Sequence, residues 1–149
     1  MSVAVLLSSP VDRPLPVPDS HPVYMLRHEV HSFLENLAND LCGAGYRKRD
    51  VFGIRLAMEE AICNAINHGH AGDPDKPVQV VYSINEQRIL ARVQDQGPGF
   101  DPAQVADARE GENLERPGGR GLLLMRSYMD RVEFNARGNV VTLIKFRSF

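Results

Sequence analysis

The apolar residues of this chain change their period near residue 70, and that change restricts the fold more than any single residue does. Before it, Leu26, Val30, Phe33, Leu34, Leu37 and Leu41 recur at steps of three and four, the buried stripe of an amphipathic helix. Asp19 or Ser20 can cap its start, and Gly43 and Gly45 can end it. A second helix is predicted after Asp50, with Val51, Ile54, Met58, Ala61 and Ala65 facing inward and Gly69 closing it. Beyond the change, Val78, Val80 and Tyr82 alternate with their neighbours, as do Ile89, Ala91 and Val93. These predict two antiparallel strands joined by a turn around Asn85 to Gln87. A short helix over Leu122 to Met129 follows a polar stretch, and strands over Arg131 to Ala136 and Val140 to Phe146 flank Gly138. Helix, helix, hairpin, loop, helix, hairpin is the order of an α+β two-layer sandwich, with helices on one face of a mostly antiparallel sheet.

Residues 1–19 hold Pro10, Pro14, Pro16 and Pro18, which exclude a helix and predict an extended tail, with one short strand near Val3 to Leu7. The domain is expected to span residues 20–149. A formal net charge of −2 argues against direct nucleic-acid binding, which calls for a basic excess. The cluster Arg47, Lys48, Arg49 reads as a solvated helix start. No run of the roughly 18 apolar residues of a membrane helix occurs, and the apolar start, Met1 to Leu7, is too short for a signal core. Cys42 and Cys63 lack metal-ligand spacing and read as reduced core thiols. A soluble, cytoplasmic protein is expected.

Three motifs carry the chemistry. In Glu60-Ala-Ile-Cys-Asn64-Ala-Ile-Asn-His68-Gly69, steps of four stack Glu60, Asn64 and His68 on one helical face. A carboxylate there can accept a proton, and an amide oxygen can meet a hard cation such as Mg²⁺. Glu59 points about 100° away, so Glu60 is preferred. In Asp95-Gln-Gly97-Pro-Gly99-Phe, at a strand end, the carboxylate can accept a hydrogen bond from an adenine amino group. Gly97 and Gly99 there allow close backbone approach. In Gly118-Gly119-Arg120-Gly121-Leu122, a glycine-rich turn opens a helix and offers backbone N–H groups and a positive dipole end to phosphates. It is neither a Walker loop nor a dinucleotide fingerprint.

Taken together, these motifs resemble the N, G1 and G2 boxes of the GHKL ATPases, which include gyrase and the histidine kinases. Their wording is most similar to the anti-sigma factor serine kinases of partner-switching systems, over about residues 20–149. The resemblance implies a Bergerat-type ATP-binding fold, with ATP and Mg²⁺ as cofactors. By similarity Glu60 is the general base, Asn64 the Mg²⁺ ligand and Asp95 the adenine acceptor, beside Gly97 and Gly99. Gly119, Arg120, Gly121 and Leu122 would line the phosphates, and His68 would help order a lid formed by residues 101–117. Asn139 stands where many members carry a threonine that supports the adenine pocket. The implied activity is phosphorylation of a serine or threonine in a STAS-domain antagonist, with a sigma factor or other regulatory target as second partner; homodimers are common in the family. The alternative is a non-catalytic ATP-binding switch that sequesters a partner other than a sigma factor. A histidine kinase is rejected: Pro and Thr are missing after His28-Glu29, and only about 30 residues separate it from the Asn64 box, too few for a two-helix phosphoacceptor hairpin.

Overall fold

The computed structural model describes Val17 and residues 20–70, 73, 75–97 and 119–149. The expected tail strand at Val3 to Leu7, Pro98 to Phe100 and the segment from Asp101 to Gly118 lie outside the described residues. In chain order the elements are β1 (Val23–Met25), α1 (Val30–Gly43), α2 (Lys48–Asn64), β2 (Val78–Ile84), β3 (Arg88–Gln94), α3 (Gly119–Tyr128), β4 (Arg131–Phe134) and β5 (Val140–Phe146). The five strands form one sheet in the order β1-β2-β3-β5-β4, antiparallel at every pairing.

Register explains the two layers. Val80 pairs with Val93, Ala91 with Leu143 and Val93 with Val141, so their side chains share one face, and all five are buried. The alternate residues Gln79, Ser83, Thr142 and Glu133 lie on the other face. Onto the apolar face pack Leu34, Leu37 and Leu41 of α1, Ile54, Met58 and Ile62 of α2, and Leu122 and Met125 of α3. Leu37, Leu41, Ile54, Met58 and Ile62 are each 0% exposed, and burial of such a side chain stabilises by roughly 1.5–3 kcal/mol.

Local chemistry sets the boundaries. Past the end of α1 the chain turns at Gly45, whose φ of 87° is left-handed, while Tyr46 N–H bonds back to the Leu41 carbonyl at 3.1 Å. The β2–β3 turn is held by Asn85 Oδ1, which accepts from the Gln87 and Arg88 N–H groups, each at 2.8 Å.

Three expectations need correction. The first helix does not begin near Ser20. Residues Val23–Met25 are instead a strand on the edge of β2, a single turn of 3₁₀ helix follows at Arg27–Glu29, and α1 starts at Val30. Leu26 lies on the helical spacing but is extended, with ψ 164°, because pairing with β2 holds the chain before it. Second, α2 is α-helical only to Asn64. Residues Ala65–Gly69 form a π turn, in which the His70 N–H reaches the Ala65 carbonyl at 3.0 Å. His68 lies inside this turn and is exposed. Third, neither cysteine belongs to the core: Cys42 is exposed and Cys63 is half-buried. Cys42 follows the buried Leu41 and so points about 100° away from the stripe.

Among the described residues, no helix is long and apolar enough to cross a membrane.

Candidate active site

Helices α2 and α3 lie against one another in opposite senses, as two glycines show. A Cβ on Gly53, near the start of α2, would sit 2.7 Å from the ring of Tyr128 at the end of α3. A Cβ on Gly121, in the first turn of α3, would sit 2.7 Å from Glu60 Oε2, 3.1 Å from Asn64 Nδ2 and 3.5 Å from Asn64 Oδ1. The absence of a side chain at Gly121 thus brings the first turn of α3 directly beside the Glu60–Asn64 face. The first turn of a helix carries N–H groups with no partner inside the helix. A carboxylate, a side-chain amide and the backbone amides of a helix start therefore share one corner.

Glu60 is half-buried, whereas Glu59 is exposed. Burial raises the Glu60 carboxyl above its ordinary value, and the neighbouring Glu59 charge raises it further. A proton acceptor tuned upward works better near neutral pH than an ordinary glutamate. Cys63 is also pushed up by burial, then by Glu59 and Glu60, so its thiol stays protonated. Among the described residues no three His, Cys, Asp or Glu side chains cluster to hold a metal by themselves. The hard amide oxygen of Asn64 suits Mg²⁺, which keeps its waters and takes few protein ligands when it arrives with phosphates. The residues present fit that ion.

The second motif meets the end of the first. A Cβ on Gly69 would overlap the Asp95 carboxylate, and one on Gly97 would overlap the Gly69 carbonyl oxygen. Asp95 is 8% exposed; its N–H bonds the Asn139 carbonyl at 3.0 Å, and its Oδ1 accepts the Gly97 N–H at 2.8 Å. Burial raises the Asp95 carboxyl, against the opposing pull of the Gly97 N–H. Asn139 supports Asp95 through its backbone, and its side-chain Oδ1 accepts from Asn135 Nδ2 at 2.7 Å.

The expected site residues thus fall into two contacting groups. Glu60, Asn64 and Gly121 make one, and Asp95, Gly97 and Asn139 the other, joined through the turn that ends at Gly69. Leu122 turns its side chain into the core, at 5% exposure, so only its backbone can face the corner. Gly119 and Arg120 open α3; the Arg120 side chain and Gly99 lie outside the described residues. Sequence reasoning missed His70, which is 2% exposed and whose Nε2 accepts the Gln96 N–H at 2.8 Å. Its one local signal is a histidine just past Gly69, where the helix was expected to have ended.

The histidine kinase-like ATPase domain pattern matches residues 25–145, which takes in all of α1 to β4 and nearly all of β5. The chain belongs to that family. Within it, the chain is similar to the serine-protein kinases RsbW. The protein of that name from Listeria innocua is 32% identical over 110 residues, 69% of this chain and 70% of that one. The one from Bacillus licheniformis is 32% identical over 112 residues, covering 68% of each chain. That from Oceanobacillus iheyensis is 26% identical over 117 residues, 74% of this chain and 72% of its own. This group uses ATP, and the chain groups with the anti-sigma factor kinases as its motifs implied.

Proposed function

We propose that the chain is an ATP-dependent serine/threonine-protein kinase that acts as an anti-sigma factor and phosphorylates a STAS-domain antagonist. The observation that carries this reading is the approach of Gly121 to Glu60 and Asn64, which sets a base beside a phosphate-binding helix start. The name of the similar proteins, serine-protein kinase, favours transfer to a hydroxyl over a purely sequestering role.

In this reading Asp95 accepts a hydrogen bond from the adenine amino group, with Gly97 and Gly99 shaping that wall and Asn139 behind it. The α3 start, from Gly119 to Leu122 with Arg120, binds the phosphates through backbone N–H groups and one cation. Asn64 would hold Mg²⁺ through its amide oxygen, and the ion would supply neutralisation of phosphate charge. Glu60 takes the proton of the acceptor hydroxyl as that oxygen bonds to the γ-phosphorus and the bond from the γ-phosphorus to the bridging β,γ-oxygen breaks, leaving ADP. His68, exposed beyond Asn64, is available to the segment of residues 101–117.

Labelled ATP, the chain and a STAS-domain partner test this directly. Glu60→Ala is expected to keep ATP binding and lose transfer, and Asp95→Ala to lose binding in calorimetry. Transfer at the full rate by Glu60→Ala would remove the base assignment. ATP binding without transfer by the unaltered chain would leave the sequestering switch as the function.

A further inference from the structure

Three consecutive backbone N–H groups at the end of β3 are each tied down, and each in a different way. The Asp95 N–H bonds the Asn139 carbonyl at 3.0 Å, the Gly97 N–H bonds Asp95 Oδ1 at 2.8 Å, and the Gln96 N–H bonds His70 Nε2 at 2.8 Å. Only the middle one is held by a side chain from another element. His70 reaches it from just past the π turn, the segment whose Gly69 touches both Asp95 and Gly97.

We propose that His70 is a positioning residue for purine selection: by accepting the Gln96 N–H it fixes the turn that aims the Asp95 carboxylate. This rests on the adenine role proposed for Asp95. Because Nε2 accepts, the imidazole is neutral and carries its proton on Nδ1. That Nδ1 is buried and has no partner among the described residues. A buried imidazole is a poor choice for filling space alone, since an apolar ring would pack there without the desolvation penalty. The nitrogen that is used therefore accounts for the residue. With Asp95 Oδ1 engaged by Gly97, Oδ2 has no donor among the described residues and is the atom left for a ligand amino group. Loss of the Gln96 tie frees the turn to rotate, and Oδ2 moves with it.

Selection between purines follows from chemistry. ATP presents an amino donor at the six position of its ring, and inosine triphosphate presents a carbonyl oxygen, which a carboxylate repels. A correctly aimed Asp95 therefore favours ATP over inosine triphosphate, and a misaimed one favours it less. Dissociation constants of both nucleotides, measured by calorimetry with Mg²⁺ for the unaltered chain, His70→Leu and His70→Gln, test this. The expected result is that His70→Leu cuts the preference for ATP about tenfold, the loss of roughly one well-made hydrogen bond. His70→Gln, whose amide oxygen can accept the same N–H, restores most of it. A general loss of fold would weaken both nucleotides alike and leave their ratio unmoved. An unchanged ratio in His70→Leu, with ATP still bound, overturns the inference while the adenine reading stands. No preference in the unaltered chain removes the adenine reading and this inference with it. Nitrogen-15 spectra of the unaltered chain provide a check that does not depend on any variant's folding: the Nδ1–H tautomer of His70 is expected, and an Nε2–H tautomer overturns the proposal.

Discussion

Gly69 and Asp95 lie in such close contact that a methyl group on the glycine would occupy the space of the carboxylate. The contact joins the end of the first motif to the second across 26 residues of chain, at the last residue of the π turn. Gly69→Ala is therefore expected to push the Asp95 carboxylate aside. ATP affinity should fall by about tenfold or more, the cost of one lost hydrogen bond to the base. Calorimetry with Mg·ATP checks it, and unchanged affinity would separate Asp95 from the nucleotide.

Gly97→Ala is a different case, because the atom in the way is the Gly69 backbone carbonyl, which cannot swing aside as a side chain end does. The expected outcome is a loss of about 2 kcal/mol of stability, typical of forced overpacking. Urea denaturation measures it.

At Gly121 the obstacle is the end of the Glu60 side chain. Alanine is the better helix former by about 1 kcal/mol, so Gly121→Ala should melt no lower than the unaltered chain. Phosphoryl transfer should nonetheless fall by about a hundredfold, as expected for a displaced base. A thermal scan and a labelled-ATP assay on the same sample read both effects.

The raised Glu60 carboxyl has a consequence for stability. Its folded value lies above the ordinary 4.5, so the folded state binds more protons than the unfolded state between those two values. Stability then falls as pH rises through that window, and the penalty is complete above the folded value. Glu60→Gln is expected to melt higher than the unaltered nucleotide-free chain at pH 7 and to show a flatter dependence from pH 4 upward. An identical pH profile for the two would remove burial as the cause.

Tyr82 tests the tie between the sheet and α1. Its hydroxyl donates to Asp40 Oδ2 at 2.7 Å, and burial first, then this bond and the Asp40 charge, push its pKa up to about 12. The stabilisation is present below the ordinary value of 10.0 and is lost as pH rises from there through about 12. Tyr82→Phe should cost about 1 kcal/mol at neutral pH and abolish that alkaline loss. Denaturation at pH 7 and pH 11 checks both.

The sequence by itself determined the layers and the identity of the motifs. The stripe ending Leu34, Leu37, Leu41, the alternation of Val78 and Val80 with that of Ile89, Ala91 and Val93, and the Asn85 turn are local patterns, and all of them appear in the structure. The neighbourhood of Glu60 and Asn64 was legible too, since four residues is one helical step. The tertiary structure alone decided the rest. Strand β1 is three residues long and exists because β2 offers it an edge, so no periodicity announces it. The π turn, the closeness of Gly121 to Glu60 and the use of His70 to hold Gln96 depend on where segments far apart in the chain come to rest. Spacing along a chain fixes direction only within one regular element. Which glycine must have no side chain, and which histidine finds an amide, is settled by packing between elements.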